Sequence, residues 1–159
     1  MPSKDPLDIF VSYARNDLLI FKEFKKHFSF AEKIKCVTVW HDNKIHAGQR
    51  WEKEIRSRLK CSPIILLLIS PDFFSSEWCT KEAKIALERE EKKEALVIPV
   101  LLRYVSKIEL KLSGLEKLNF ALDHSSPLVD KNKNVDDERC GIAAEHIINA
   151  IENLLPNQR

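Results

Sequence analysis

Ile64-Ile65-Leu66-Leu67-Leu68-Ile69-Ser70-Pro71-Asp72-Phe73-Phe74-Ser75-Ser76-Glu77-Trp78-Cys79-Thr80-Lys81-Glu82 is the stretch on which the reading of the chain turns. The apolar run Ile64 to Ile69 is too short to span a membrane and shows no polar alternation, so it reads as a central strand buried on both faces. Parallel sheets place ligands just beyond the carboxyl ends of such strands, where Ser70 begins. Ser70 and Pro71 suit an N-cap and a first helical position, and Ser75 or Ser76 suits a second cap, which predicts a broken turn followed by a helix. In that helix Cys79, Ala83 and Ala86 form the stripe expected to face the sheet, and Trp78, Glu82 and Ile85 form the stripe beside it. Glu82 is thus a carboxylate among apolar neighbours. A glutamate taken at random is a solvated helix residue, here beside Lys81 and Lys84, but its place after a buried strand favours a functional reading.

Outward from this stretch, strand and helix alternate. Asp8 to Ser12 reads as a first strand, followed by a polar elbow and an apolar rhythm at Leu18, Phe21, Phe24 and Phe28 that predicts a helix, with Asp17 as its cap. Cys36 to Trp40 reads as a second strand. His41 to Gly48 is a polar loop of the kind that carries function at a sheet edge. Trp51, Ile55, Arg58 and Leu59 mark the next helix. Ala95 to Leu102 reads as a fourth strand, Ser106 to Gly114 as a short helical turn, and Leu118 to Leu122 as a fifth strand at an edge. The final helix starts near Asp136-Asp137-Glu138, with an apolar face from Ile142 to Leu154. Five alternations predict a three-layer α/β sandwich around a five-stranded parallel sheet with right-handed crossovers.

With 159 residues, 44% of them hydrophobic, the chain has material for one domain with a full core, taken as residues 1–159 with its core at about 8–155. Lys and Arg total 26 against 24 Asp and Glu, a balance that draws the chain toward neither nucleic acid nor membrane. No signal peptide or membrane span is read, which gives a cytoplasmic expectation. The scattered Cys36, Cys61, Cys79 and Cys140 read as free thiols in a reducing compartment. Three glycines and no Walker A or GxGxxG pattern exclude a glycine-rich phosphate loop, so no cofactor is expected. Cys36, His41 and His46 do not match zinc spacing, so no metal is expected either. No nucleophile elbow surrounds Ser12 or Ser70, and Asp8 stands before the first strand rather than in a receiver-type acidic cluster.

The buried strand with Ser70-Pro71-x-Phe73 and then Ser76-x-Trp78-Cys79-x-x-Glu82 resembles the TIR (Toll/interleukin-1 receptor) domain family in its bacterial form. Asp8-Ile9-Phe10-Val11-Ser12-Tyr13-Ala14, Trp40-His41-Asp42 with Ile45-His46-Ala47-Gly48-Gln49-Arg50-Trp51, and Ile98-Pro99-Val100 resemble further family segments in the same order. The resemblance implies a flavodoxin-like strand order, 2-1-3-4-5. It also implies an NAD⁺ nucleosidase, since many bacterial TIR domains release nicotinamide from NAD⁺ through the glutamate of the Trp-Cys-x-x-Glu motif, here Glu82. The products implied are ADP-ribose or a cyclic ADP-ribose form, in a bacterial defence or virulence setting. Tyr13, Arg15, Trp40, Asp42 and Trp78 would line the substrate cleft; for Trp40 and Trp51 the residue pattern favours a core role, and for Trp78 core anchor and ligand contact weigh equally. Self-association through TIR–TIR contacts is implied, with Ile45, Gly48, Arg50 and Trp51 in the assembly loop. The rival reading is a non-catalytic TIR interaction module. Leu155 to Arg159 reads as a domain end, after which a sensor or effector domain could follow.

Overall fold

The computed structural model describes residues 5–41 and 51–158. Four parallel strands, β1 (Leu7–Ser12), β2 (Val37–Trp40), β3 (Ile64–Ile69) and β4 (Leu96–Leu101), lie in the order β2-β1-β3-β4. The registers place Phe10 opposite Trp40 and Ile65, and Leu67 opposite Pro99. The period of two along each strand divides the core into two layers. Ile9, Val11, Ile64, Leu66 and Leu68 face one layer, with Phe21, Phe24 and Phe28 before β2 and with Ala143, Ile147 and Ile151 of the last helix. Phe10, Ile65, Leu67 and Ile69 face the other, against Ile55 and Leu59 of α3 (Trp51–Cys61) and Cys79, Ala83 and Ala86 of α5 (Glu77–Glu91). Each fully buried phenylalanine contributes roughly 1.5–3 kcal/mol.

The predicted helix after β1 is segmented. A 3-10 turn at Arg15–Asp17 leads into α1 (Leu18–Lys25), and a second at Lys26–Phe28 leads into α2 (Ser29–Lys33). Asp17 precedes α1 but makes no side-chain cap; its carboxylate is buried and engaged elsewhere. The break at Ser76 falls where the sequence places it. Ser70 accepts from Phe73 N–H to cap α4 (Pro71–Ser75), and Ser76 accepts from Cys79 N–H to cap α5. Ser106 caps α6 (Lys107–Ser113), which ends at Gly114 with φ 80, a conformation that glycine adopts without a Cβ penalty. Asp136 accepts from Arg139 N–H at 3.0 Å at the start of α7 (Asp137–Gln158).

The expected fifth strand is not formed: Leu118 to Leu122 is irregular, and among the described residues the sheet has four strands rather than five. The cause lies in β4. Its outer edge carries Pro99, which has no N–H to offer a neighbouring strand. Ala121 N–H donates to the Pro99 carbonyl at 3.0 Å and Leu128 N–H to the Leu101 carbonyl at 2.9 Å, so the chain touches the edge at separate points instead of building a ladder. His146 Nδ1 donates to the Ala121 carbonyl at 2.6 Å and ties this segment to α7. A groove of about 510 Å³ remains beside β4, floored by Leu96, Val97 and Phe120.

Among the described residues no helix is long and apolar enough to cross a membrane. All four cysteines are free thiols, with Cys61 exposed and Cys79 and Cys140 buried. Burial, aided by Asp137 and Asp136, pushes the Cys140 thiol up to about 11. Because the thiolate is the reactive form, Cys140 should resist alkylation by iodoacetamide in the native protein while Cys61 reacts readily. Peptide mass spectrometry before and after unfolding in urea checks this, with Cys140 labelled only in the unfolded chain.

Candidate active site

The alternation of β1 sends Ser12 to the same side as Phe10, toward the layer that holds α5. There Ser12 Oγ donates to Glu82 Oε1 at 3.2 Å, across 70 residues of sequence. Both residues are buried, Glu82 with 6% of its surface exposed. A carboxylate so placed is costly unless hydrogen-bonded, and the Ser12 hydroxyl supplies part of that compensation from the carboxyl end of a central strand.

Glu82 lines a cavity of about 210 Å³ between α3 and α5. Trp78 lies one helical turn before Glu82 and borders the same cavity, with Ile55, Leu59 and Ile85 as apolar lining and Arg56, Lys81 and Lys84 as cationic lining. Glu82 is the single acid among these residues. The volume is below the ~300–1,000 Å³ usual for a pocket enclosing a drug-sized ligand, so it suits one ring or sugar of a larger molecule.

A second polar cluster joins the ends of β1, β3 and β4. Asp17, fully buried, accepts from Arg103 Nε at 3.1 Å and from Arg103 Nη2 at 3.0 Å. Ser70 Oγ donates to the other oxygen of Asp17 while accepting from Phe73 N–H. Arg103 Nη2 also donates to Asp72, whose second oxygen accepts from Asn16 Nδ2 at 3.2 Å. The hydrogen bond from Asn16, then that from Arg103, holds the Asp72 carboxyl below the usual carboxylate range.

Of the candidates taken from sequence, Trp78 and Glu82 come together at the cavity. Tyr13 is buried and stacks on Phe21 at 4.6 Å, in the opposite core layer. Trp40 is buried and stacks on Phe10 at 5.4 Å, with the Arg58 guanidinium 5.7 Å from its ring centre. Arg15 is exposed on the 3-10 turn after β1. Asp42, Ile45, Gly48 and Arg50 lie outside the described residues, as does the side chain of Trp51. Ser12, Asp17 and Arg103 were not read as site residues from sequence. The parity of β1 was the available signal for Ser12, whereas the pairing of Asp17 with Arg103 needs the strand order. Among the described residues no group of His, Cys, Asp and Glu side chains could hold a metal ion.

A family model for the TIR domain matches residues 9–131. The chain belongs to the TIR domain family. The TIR domain is 35% identical over 96 residues to the uncharacterized protein y4lF of Sinorhizobium fredii, covering 60% of this chain and 30% of that one. It is 33% identical over 129 residues to a Methanobrevibacter olleyae protein named "Probable 2' cyclic ADP-D-ribose synthase TcpO", covering 80% of this chain and 33% of that one. The chain therefore spans about a third of the length of these curated relatives. Among solved structures, the TIR domains of the activated Roq1 resistosome recognising the effector XopQ superpose with a TM-score of 0.53 at 20% identity, over 87% of this chain and 84% of that one. That likeness shows the fold.

Proposed function

We propose that this TIR domain cleaves the bond between nicotinamide and ribose in NAD⁺, with Glu82 as the catalytic carboxylate. The observation that carries the reading is the Glu82 side chain, buried, held by Ser12 and bordering a cavity beside Trp78. Support also comes from the 33% identity to a relative named as a cyclic ADP-ribose synthase.

The chemistry asks little of the protein beyond such a group. The bond from ribose C1′ to the pyridinium nitrogen breaks with its electron pair going to nitrogen, so nicotinamide leaves neutral and needs no general acid. Ordinary glycoside hydrolysis does need one, because its leaving group is an alkoxide. Positive charge develops at C1′ and the ring oxygen, where a carboxylate held among apolar neighbours stabilises it. Water then adds at C1′ and loses a proton, so NAD⁺ and water give nicotinamide, ADP-ribose and a proton. Where the site excludes water, an oxygen or nitrogen nucleophile within the ADP-ribosyl fragment takes its place and a cyclic product forms.

Incubating the purified protein with NAD⁺ and following nicotinamide by liquid chromatography, with mass spectrometry of the second product, tests the proposal. No nicotinamide release at high protein concentration would leave the TIR domain as a docking module. Self-association belongs to the same proposal. The stretch from His41 to Gly48 reads from sequence as a long polar loop of the kind that carries function, and the TIR resemblance implies self-association through it. Activity per molecule is therefore expected to rise with protein concentration. A constant specific activity, measured beside light scattering, would remove assembly and leave Glu82 untouched.

A further inference from the structure

Arg56, Lys81 and Lys84 line the cavity that Glu82 borders, and the catalytic reading does not use them. Lys81 and Lys84 flank Glu82 on α5, and Arg56 faces them from α3. All three are exposed. Arg56 pairs with Glu52 at 3.2 Å, but both side chains are half exposed, so a ligand can displace that pair at a cost of about 0–1 kcal/mol. One buried carboxylate and three exposed cations that line the same cavity suit a ligand with positive charge at one end and negative charge a few ångströms away. A neutral sugar or nucleoside would use neither feature. The small volume of about 210 Å³ adds that only the end of a dinucleotide enters, which leaves its remaining charges at the mouth.

We propose that Arg56, Lys81 and Lys84 form a diphosphate-binding rim that makes the site select a dinucleotide over the corresponding nucleoside. The inference rests on the reading of Glu82 as the carboxylate that faces the ribosyl centre. Lysine ammonium groups meet phosphate as point charges and the arginine meets it as a fork, and each draws the anion from solution in a salt-dependent way. The rim holds ground state and transition state alike, so it acts on KM and not on kcat.

The test compares the wild-type protein with the triple variant Arg56→Gln, Lys81→Gln, Lys84→Gln, whose replacements are good helix formers at exposed positions and should leave the melting temperature unchanged. Nicotinamide release is measured from NAD⁺ and from nicotinamide riboside, which has the same reacting bond and no phosphate. The expected result is a KM for NAD⁺ raised roughly tenfold or more at unchanged kcat, an unchanged KM for nicotinamide riboside, and a flattened salt dependence for NAD⁺. Equal changes for both substrates, or none, would overturn the rim. Calorimetric titration with ADP-ribose gives a readout free of turnover and separates this inference from the catalytic one. Binding to wild type that is lost in the triple variant supports the rim even in a protein that releases no nicotinamide. Absence of ADP-ribose binding to wild type, or equal binding to both proteins, refutes it.

Discussion

Replacing Glu82 with glutamine should lower the rate of nicotinamide release by more than tenfold, a barrier increase of about 1.4 kcal/mol or more, and leave the fold intact. The two halves of this expectation have different causes. Glutamine keeps the shape of the side chain and an oxygen that can accept from Ser12 Oγ, so the contact across β1 and α5 survives. Burying a neutral amide is also cheaper than burying a carboxylate, so the melting temperature should hold or rise slightly. On the proposed reading the variant loses the negative charge that would face the developing oxocarbenium centre, and among the described residues Glu82 is the only acid that lines the cavity. Ser12→Ala, by contrast, keeps the charge and removes one donor. It should cost less activity than Glu82→Gln, because Ser12 holds the carboxylate and is not among the residues that line the cavity. A Glu82→Gln protein with near wild-type turnover and an unchanged melt would show that the charge is not used in catalysis.

The sequence made β3 and the pair of helix starts after it legible, because each rests on local chemistry. An uninterrupted apolar run has one economical place in an α/β protein, and Ser70 and Ser76 each offer an oxygen to a helix N–H three residues on. The burial of Glu82 was legible only in part. Helical spacing puts it next to the sheet-facing stripe, but its bond to Ser12 depends on β1 lying beside β3, which no local pattern states. The fifth strand illustrates the opposite case. Leu118 to Leu122 has strand-like composition, yet pairing requires a complementary edge, and Pro99 leaves the edge of β4 without a donor at its middle. Asp17 was misread as a cap for a related reason. Its position before α1 fits that role, but Ser70 and Arg103 arrive from distant strand ends and claim the carboxylate.

That claim on Asp17 predicts the largest stability effect at the site: Arg103→Met should destabilise the fold by about 3 kcal/mol, at the lower end of what removing one partner of a buried ion pair costs. Asp17 is fully buried, so without the guanidinium its charge has only the Ser70 hydroxyl as a described side-chain donor. Arg103 is itself one-third exposed, which lets water reach part of the vacated space and keeps the cost from the upper end of that range. Asp17→Asn placed in the same chain should recover much of the loss, because it removes the stranded charge and keeps an oxygen for Ser70 Oγ. Urea unfolding of the two single variants and the double variant measures the coupling. A loss below 1 kcal/mol for Arg103→Met, or no recovery in the double variant, would show that the pair does not hold the strand ends together. Asp72 adds a pH signature with a definite sign. Its folded pKa is depressed by Asn16 first and Arg103 second, so its contribution is complete above the ordinary value of about 3.9 and is lost as pH falls through the lower folded value. Asp72→Asn should flatten that acid limb while leaving the pH 7 coupling between Asp17 and Arg103 in place, since the bonds of Arg103 Nε and Nη2 to Asp17 do not pass through Asp72.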